Sequence, residues 1–580
     1  MTSLEHKRHT LAHLLAQAVL ERYPEAKLTL GPAIDTGFYY DIDFGGEKVS
    51  DTDLADLEGA MRSHLADWTN FTAEEVDAAT ARERFPGNSF KNELIDEITG
   101  RGETITLYTC GGFTDLCRGG HAENPASEIA ADSFKLDRVA GAYWRGDEKN
   151  PMLTRIYGLA FDTKSDLDAY LTQREEAKKR DHRKIAKEQG LLVFSDLVGS
   201  GMPMYTPKGN IIRSEIIRLS RELNEELGFG EVHTPNVNKG ELFKKSGHYD
   251  QYKEDMLTVT SQYVEDEMFL KPMNCPQHTQ IYASAPRSYR DLPVRYSDFA
   301  VLYRDERPGE LSGLTRLRSF SQDDGHIFCR EDQIEDELKH VLEAIKKALA
   351  TYRIQYWVRL SLRDPQKKDK YLGEDAIWEK AQGIMRDLLK REGIAHKEAE
   401  GEAAFYGPKM DIMAVDAIGR EWQISTIQLD LNMPGRFELE YTAEDGTKKT
   451  PVMIHRALVG SPDRFMGVLI EHYAGAFPTW LAPVQVRVLS VAERHAAYAK
   501  EVTEALKAAR VRAELDDSNE SLGKKIRDGK TEKIPYLLVV GDKEVEAKTL
   551  SVESRDKGKQ DAMSVEAFRD QILEEIKARA

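Results

Sequence analysis

Three groups of residues in this 580-residue chain have the types and spacing to do chemistry. The first lies in RYSDFAVLYRDERPGELSGLTRLRSFSQDDGHIFC, residues 295–329. Arg304 and Glu306 leave an apolar run from Phe299 to Tyr303, a charged Pro/Gly loop follows, and Arg316 and Arg318 enter a second run through Leu317 and Phe320. Gln322, Asp323, Asp324 and His326 come next. The pattern predicts two antiparallel strands joined by a long loop. Arginines at both ends of a loop, with carboxylates behind them, suit an anion such as a triphosphate. A solvated hairpin laced with ion pairs is the other reading, and this stretch alone leaves both open.

The second group is near the N-terminus. His9 and His13 stand four apart in a helical pattern closed by Pro24, so they share one face. Cys117 and His121 also stand four apart, but Gly119 and Gly120 between them favour a strand-to-loop setting. These four residues are a ligand inventory of the right softness for zinc. They could equally bind a small ester and deacylate it through water. The third group is scattered. Cys275 sits between Pro272 and Pro276, which stiffen the backbone around a possible metal ligand, although a lone Cys is by default buried and inert. Tyr406 and Lys409 follow a glycine-containing turn, Gln423 and Gln428 share a strand pattern, and His455 lies near a strand end. Gly460 and Ser461 precede a helix with Arg464 in its first turn, where backbone N–H groups also favour a phosphate.

The elements that must hold these groups fit three or four domains. A run from 165 to 190, ending at Gly190, reads as one polar linker helix and rigid spacer; its segment Arg174–Lys187 is basic. Ile212, Ile216, Leu219, Leu223 and Leu227 form one helical face closed by Gly228. A short strand carrying Pro235 follows, which places it at an edge or interface. The last stretch alternates strand and helix as a small α/β domain with a mostly parallel sheet. The hydrophobic share is 41% and the charged share 31%, as in soluble globular proteins. Four cysteines are too few for a disulfide framework, and neither a signal peptide nor an apolar run of membrane length is present, so a cytoplasmic location is expected. The net charge of −18 argues against an indiscriminate nucleic-acid binder, but an enzyme needs only its contact faces basic. No phosphate loop of the G-x4-G-K-[ST] type and no dinucleotide fingerprint occurs. ATP, if bound, must be held by arginines on an antiparallel sheet.

That arrangement resembles a class II aminoacyl-tRNA synthetase. Three family motifs occur in order: the helix and strand with Pro235, the strand–loop–strand with Arg304, Asp305 and Glu306, and GSPDRFMGVLIE with Arg464. KPMNCPQH, AFYGPK, QLDLNMP and PVMIHRALVGSPDRF resemble the threonyl-tRNA synthetase family more closely still, and HTLAH, DLCRGGH and AGAYWRGD resemble its editing domain. The resemblance runs from about residue 5 and leaves no room ahead for the small extra N-terminal domain that many members carry.

The resemblance implies an α+β multidomain fold: an editing domain (1–164), the linker helix (165–190), a class II catalytic domain with an antiparallel sheet and flanking helices (191–481), and an α/β anticodon-binding domain (482–580). It implies a threonine–tRNA ligase that forms threonyl-adenylate, transfers threonine to tRNA(Thr) and hydrolyses mischarged seryl-tRNA(Thr). Cys275, His326 and His455 become ligands of one Zn2+ per subunit, with Asp324, Tyr406, Gln428 and Met273 around the threonine. Arg304, Glu306, Arg316, Phe320, Gln322, Gln423 and Arg464 become the ATP site, with Arg304, Glu306 and Arg464 catalytic and Mg2+ shared between phosphates. His9, His13, Cys117 and His121, with Lys91 and Asp115, become an editing site working by positioned water without metal. A homodimer built around the Pro235 element is expected, and no membrane partner. Asn519 matches an anticodon contact, whereas Glu553 stands where many relatives have arginine. Two competing readings, a non-catalytic tRNA sensor and a free-standing deacylase, are disfavoured because the motifs of both halves are intact.

Overall fold

The computed structural model describes residues 2–579, which divide after Glu175 into two compact units. The first unit opens with helix α1 (Ser3–Arg22). Thr2 and Glu5 close its N-terminus as a reciprocal capping box, satisfying amides that the first turn leaves free. Leu11, Leu14, Leu15 and Val19 of α1 are buried against Phe38 and Tyr40 on strand β1 (Gly37–Asp43). This strand belongs to a five-stranded sheet whose longest members are Phe134–Tyr143 and Met152–Ala160. Helix α2 (Ser89–Gly100) and strand β2 (Phe113–Leu116) complete the framework, β2 ending a separate three-stranded sheet.

The run expected as one linker helix is two. Helix α3 (Lys164–Arg180) stops at Asp181, and α4 (His182–Glu188) begins after it. Asp181 is not helical (φ −50°, ψ 116°), and its carboxylate accepts the Arg183 N–H at 2.8 Å. An N-cap residue inside a helical-looking run is what the polar pattern concealed. In addition, α4 buries Ile185 and Ala186 in the core of the second unit, so this half is no free spacer.

In the second unit, helix α5 (Pro207–Glu226) has the expected apolar face, with Thr206 as N-cap and Gly228 at φ +73° just beyond its end. Pro235 is not within a strand. It lies between Gly230–Glu231, at the edge of the main sheet, and Val237–Lys239, at the edge of a small three-stranded sheet. Helix α6 (Cys275–Ala283) precedes strands β3 (Val294–Asp298) and β4 (Val301–Tyr303). Strand β5 (Ser319–Ser321) pairs antiparallel with β4, and β6 (Asp324–Cys329) with β3. The expected hairpin is therefore present, shorter at both strands and interrupted at Phe299 and Ala300.

The main sheet has eight strands. From the Gly230–Glu231 edge they run β3, β6, then Val452–Ala457, Glu421–Asp430, Lys409–Val415, Gln355–Leu362 and His396–Glu400. All internal pairings are antiparallel, and only the two edge strands pair in parallel. In chain order these inner strands are β7 (Gln355–Leu362), β8 (Lys409–Val415), β9 (Glu421–Asp430) and β10 (Val452–Ala457). Helix α7 (Pro462–His472) follows β10. The final stretch is a smaller sheet in which Ala513–Asp516, Val486–Ser490 and Tyr536–Val540 are parallel and Thr549–Ser554 antiparallel, as the alternating pattern predicts.

Candidate functional site

The sheet register assembles the second unit's site. His326 on β6 pairs with His455 on β10, and His455 pairs with Gln428 on β9. Residues far apart in sequence thus become one cross-strand row, with side chains on one face. The His326 Nε2 and His455 Nδ1 are 3.0 Å apart, and the donor atoms of Cys275, His326 and His455 all lie within 4.8 Å of one another. All three residues are buried. Cys275 opens α6. His455 Nε2 is 3.0 Å from Asp430 Oδ2, so it carries a proton and donates it. His326 Nδ1 is 2.7 Å from His278 Nδ1. When His278 accepts that hydrogen bond, two ring lone pairs face each other beside the Cys275 sulfur. A soft divalent cation satisfies such a set, and carboxylate or imidazole partners behind the ligands fix their tautomers. Burial, then neighbouring His278 and His455, push the His326 imidazolium well below the usual histidine range, so the ring is neutral and available as a ligand.

Tyr406 stacks on the His455 ring at 4.6 Å between centroids and donates to Gln428 Oε1 at 2.5 Å. It leads into a cavity of about 570 Å3 lined by Met273, Arg304, Glu306, Arg316, Phe320, Gln322, Tyr406, Gln423, Gln428 and Arg464. Every residue expected at an ATP site therefore lines one cavity. The Arg304 guanidinium lies 5.2 Å from the Phe320 ring centroid. Among the described residues neither Arg304 nor Arg464 forms an ion pair with a carboxylate, whereas Arg316 is bonded to Glu306 at 2.8 Å. Burial lowers both Arg304 and Arg464 from the usual arginine range, which is the cost of holding cations ready for an anion. Gln423 is fixed by donating to Asp411 Oδ1 at 2.8 Å and accepting from Arg359 at 3.1 Å. Asp324 is buried beside the triad, 3.8 Å from His326 Nε2. Asp323, by contrast, serves the framework. Its carboxylate pairs with buried Arg456 at 2.6 Å and accepts the Leu458 and Val459 amides, tying β10's exit to the Asp323 segment.

The first unit holds the second cluster. His9 Nδ1 lies 3.2 Å from the Gly120 carbonyl, which can only accept, so His9 Nε2 is bare. It must accept from His13 Nε2 at 3.2 Å, while His13 Nδ1 donates to Asp115 Oδ2 at 3.1 Å. His13 is thereby protonated on both nitrogens. Burial opposes that charge, but hydrogen bonds with Asp115 and Cys117 raise His13 to about 9. Asp115 is buried with Lys91, which donates to it, and accepts from Tyr40 at 2.5 Å. Burial acts to raise Asp115, but Lys91 and His13 hold it well below the usual carboxylate range. For Cys117 too, burial acts upward, but the His121 and His13 imidazoles draw it down to about 3. Cys117 Sγ lies 3.4 Å from His121 Nε2 and accepts the Gly119 N–H at 3.3 Å. The four His and Cys donor atoms lie within 4.8 Å, close enough for a metal. A doubly protonated His13, however, has no lone pair to give.

Sequence reasoning missed Tyr40, His278, His248, Asp411 and Asp430. Tyr40 and Asp411 sit on strands without local signal, and His248 reaches Cys275 Sγ at 3.6 Å from outside every motif. His278, the last residue of KPMNCPQH, and Asp430, inside QLDLNMP, lay in segments already singled out. Asn519 is exposed in the loop before Leu522–Thr531, and Glu553 pairs with Lys530 at 2.6 Å.

Residues 257–473 match the tRNA synthetase class II core domain (G, H, P, S and T), 485–575 an anticodon binding domain, and 105–157 the threonyl and alanyl tRNA synthetase second additional domain. The antiparallel sheet and arginine-lined cavity are thus those of a class II aminoacyl-tRNA synthetase. The chain is 48% identical over 575 residues to the threonine–tRNA ligase of Rubrobacter xylanophilus, covering 99% of this chain and 89% of that protein. It is 45% identical over 577 residues to that of Thermotoga neapolitana, covering 99% and 88%. The chain belongs to the threonine–tRNA ligase family. Among solved structures, the RNA binding domain of threonyl-tRNA synthetase from Cryptosporidium parvum superposes with a TM-score of 0.65 at 36% identity, covering 68% of this chain and 98% of that one. Prolyl-tRNA synthetase from Giardia lamblia, at 15% identity and a TM-score of 0.56, shares the fold. No helix among the described residues is long and apolar enough to cross a membrane.

Proposed function

We propose that this chain ligates L-threonine to tRNA(Thr) with ATP and hydrolyses seryl-tRNA(Thr) made in error. The observation that carries the reading is the row His326–His455–Gln428, with Cys275 beside it, opening into a cavity walled by Arg304 and Arg464, which pair with no carboxylate among the described residues. A threonine carboxylate oxygen attacks the α-phosphorus of ATP, the bond to the bridging oxygen breaks and pyrophosphate leaves. That step needs alignment and charge neutralisation more than a proton acceptor, and Arg304 and Arg464 supply the positive charge. Arg316, Gln322 and Gln423 line the same cavity, Phe320 offers a ring for the adenine, and Mg2+ brought with the ATP would supply the remaining positive charge. Glu306 is released to the nucleotide when Arg316 turns to it.

Cys275, His326 and His455 would hold one zinc ion. When bound, it supplies a Lewis-acidic position for the threonine amino and hydroxyl groups, which valine cannot satisfy. Asp324, Tyr406, Gln428 and Met273 then shape the rest of that pocket. Serine keeps the hydroxyl and lacks one methyl group, worth roughly 1–3 kcal/mol or about 10–200-fold, which is too little for accurate translation. A hydrolytic site on the same chain answers that need, and the Lys91–Asp115–His13–His9 chain beside Cys117 and His121 can orient a water at the seryl ester. Residues 1–164 then form the editing domain, 165–190 the linker, 191–481 the catalytic domain and 482–580 the anticodon-binding domain, with Asn519 facing a base. The protein acts as a homodimer in the cytoplasm. Threonine-dependent ATP–pyrophosphate exchange with a zinc count tests the reading: exchange should be weak with serine and negligible with valine. Equal stimulation by valine would overturn the pocket assignment.

A further inference from the structure

His182 belongs to neither cluster, yet it is buried where α4 meets two segments that line the cavity, the turn at Leu314 and α7. It is the first residue of α4, and its Nδ1 lies 2.6 Å from Glu471 Oε1 on α7, the helix that carries Arg464. Its Nε2 lies 2.9 Å from the Leu314 amide. An amide can only donate, so Nε2 accepts and Nδ1 carries the proton to Glu471; the geometry fixes the tautomer. The turn from Ser312 to Arg316 is otherwise bonded to itself, through the Thr315 and Arg316 amides to the Ser312 carbonyl. The Leu314 N–H points out of that turn, to the imidazole. Two glycines make room: a Cβ on Gly313 would sit 2.1 Å from His182 Nε2, and one on Gly467 of α7 would press on Leu314 Cβ at 3.1 Å. Arg180 also reaches the His472 carbonyl at 3.0 Å, fastening α4's approach to the end of α7.

We propose that His182 is a positioning residue for the nucleotide: by holding the Leu314 amide it seats the 312–317 turn on α7, so that Arg316 and Arg464 face one cavity. This rests on the ATP reading of that cavity. The two ring bonds can be separated by substitution. In His182→Asn the side-chain amide stands where Nδ1 was and keeps the Glu471 bond, leaving the buried Leu314 N–H unpaired. In His182→Gln the carbonyl stands near Nε2 and keeps the Leu314 bond. In threonine-dependent ATP–pyrophosphate exchange, His182→Asn should raise KM for ATP roughly tenfold, with kcat and KM for threonine within about twofold of wild type. His182→Gln should leave KM for ATP near wild type, and both variants should lose a similar amount of thermal stability. Gly313→Ala, whose Cβ would press on His182 Nε2 and displace the turn while leaving Glu471 untouched, should raise KM for ATP as His182→Asn does. Equal KM for ATP in both His182 variants, or an unchanged KM in Gly313→Ala, overturns the proposal. Absence of exchange in the wild-type protein overturns the nucleotide reading itself, and the proposal with it.

Discussion

The chain contains two Cys/His clusters of nearly the same composition, and the structure makes them chemically opposite. In the first unit, Asp115 and Lys91 lie behind His13, and the charged state wins: His13 is an imidazolium and the Cys117 thiol is drawn down to about 3. In the second unit, desolvation wins. Burial, with Asp324 and Asp430 nearby, pushes the Cys275 thiol well above its ordinary value, and the His326 ring is kept neutral. An ion-paired network is finished without a cation. A neutral, convergent set of lone pairs is finished only by one. Ligand inventory alone therefore decides little; what stands behind each donor decides which cluster is suited to a metal.

The comparison breaks first under chelation. Removing bound metal should abolish threonine-dependent exchange while leaving seryl-tRNA(Thr) hydrolysis intact, and hydrolysis lost in parallel would make the two clusters alike. His13→Ala should have the mirror effect, lowering seryl-tRNA(Thr) deacylation by roughly 10²–10⁴-fold with exchange unchanged. Asp430→Asn removes the acceptor behind His455 and should weaken zinc binding by about 10–100-fold, measured by competition with a chromophoric chelator. Unchanged affinity would show that this partner does not orient the ring.

The smallest effect is on stability. His13 is raised from 6.5 to about 9, so its contribution is complete below pH 6.5 and is lost as pH rises towards 9. The unfolding midpoint of the first unit should fall by a few degrees across that window, and Asp115→Asn should flatten the dependence. A flat wild-type profile would show that His13 is neutral.

The legible part of the structure was local. The His9/His13 spacing did put both rings on one helix face, and Gly119 and Gly120 did mark the loop that carries His121. The hairpin, the helix after Ser461 and the alternating C-terminal pattern were readable because each depends on side-chain period and turn residues. Asp181 was readable in principle, as an N-cap residue, but the polar run on both sides of it offered no apolar face whose interruption would reveal the break. Asp323 and Asp324 are adjacent and alike in sequence, and they separate only because strand alternation turns one to the Arg456 side and the other to the His326 side.

By itself, the sequence determined which segments are helices or strands and which carried unusual polar residues, since propensity, capping and hydrophobic period act over a few residues. For the core cluster it supplied candidate ligands whose spacing obeys no rule, and only the family resemblance joined them. Tertiary structure decided that His326 and His455 are neighbours, through the register of two strands. It also decided that Tyr40 and Lys91 meet at Asp115, and that one cluster is charged and the other neutral. Register, burial and the charge of distant partners are properties of the assembled fold. No single segment contains them.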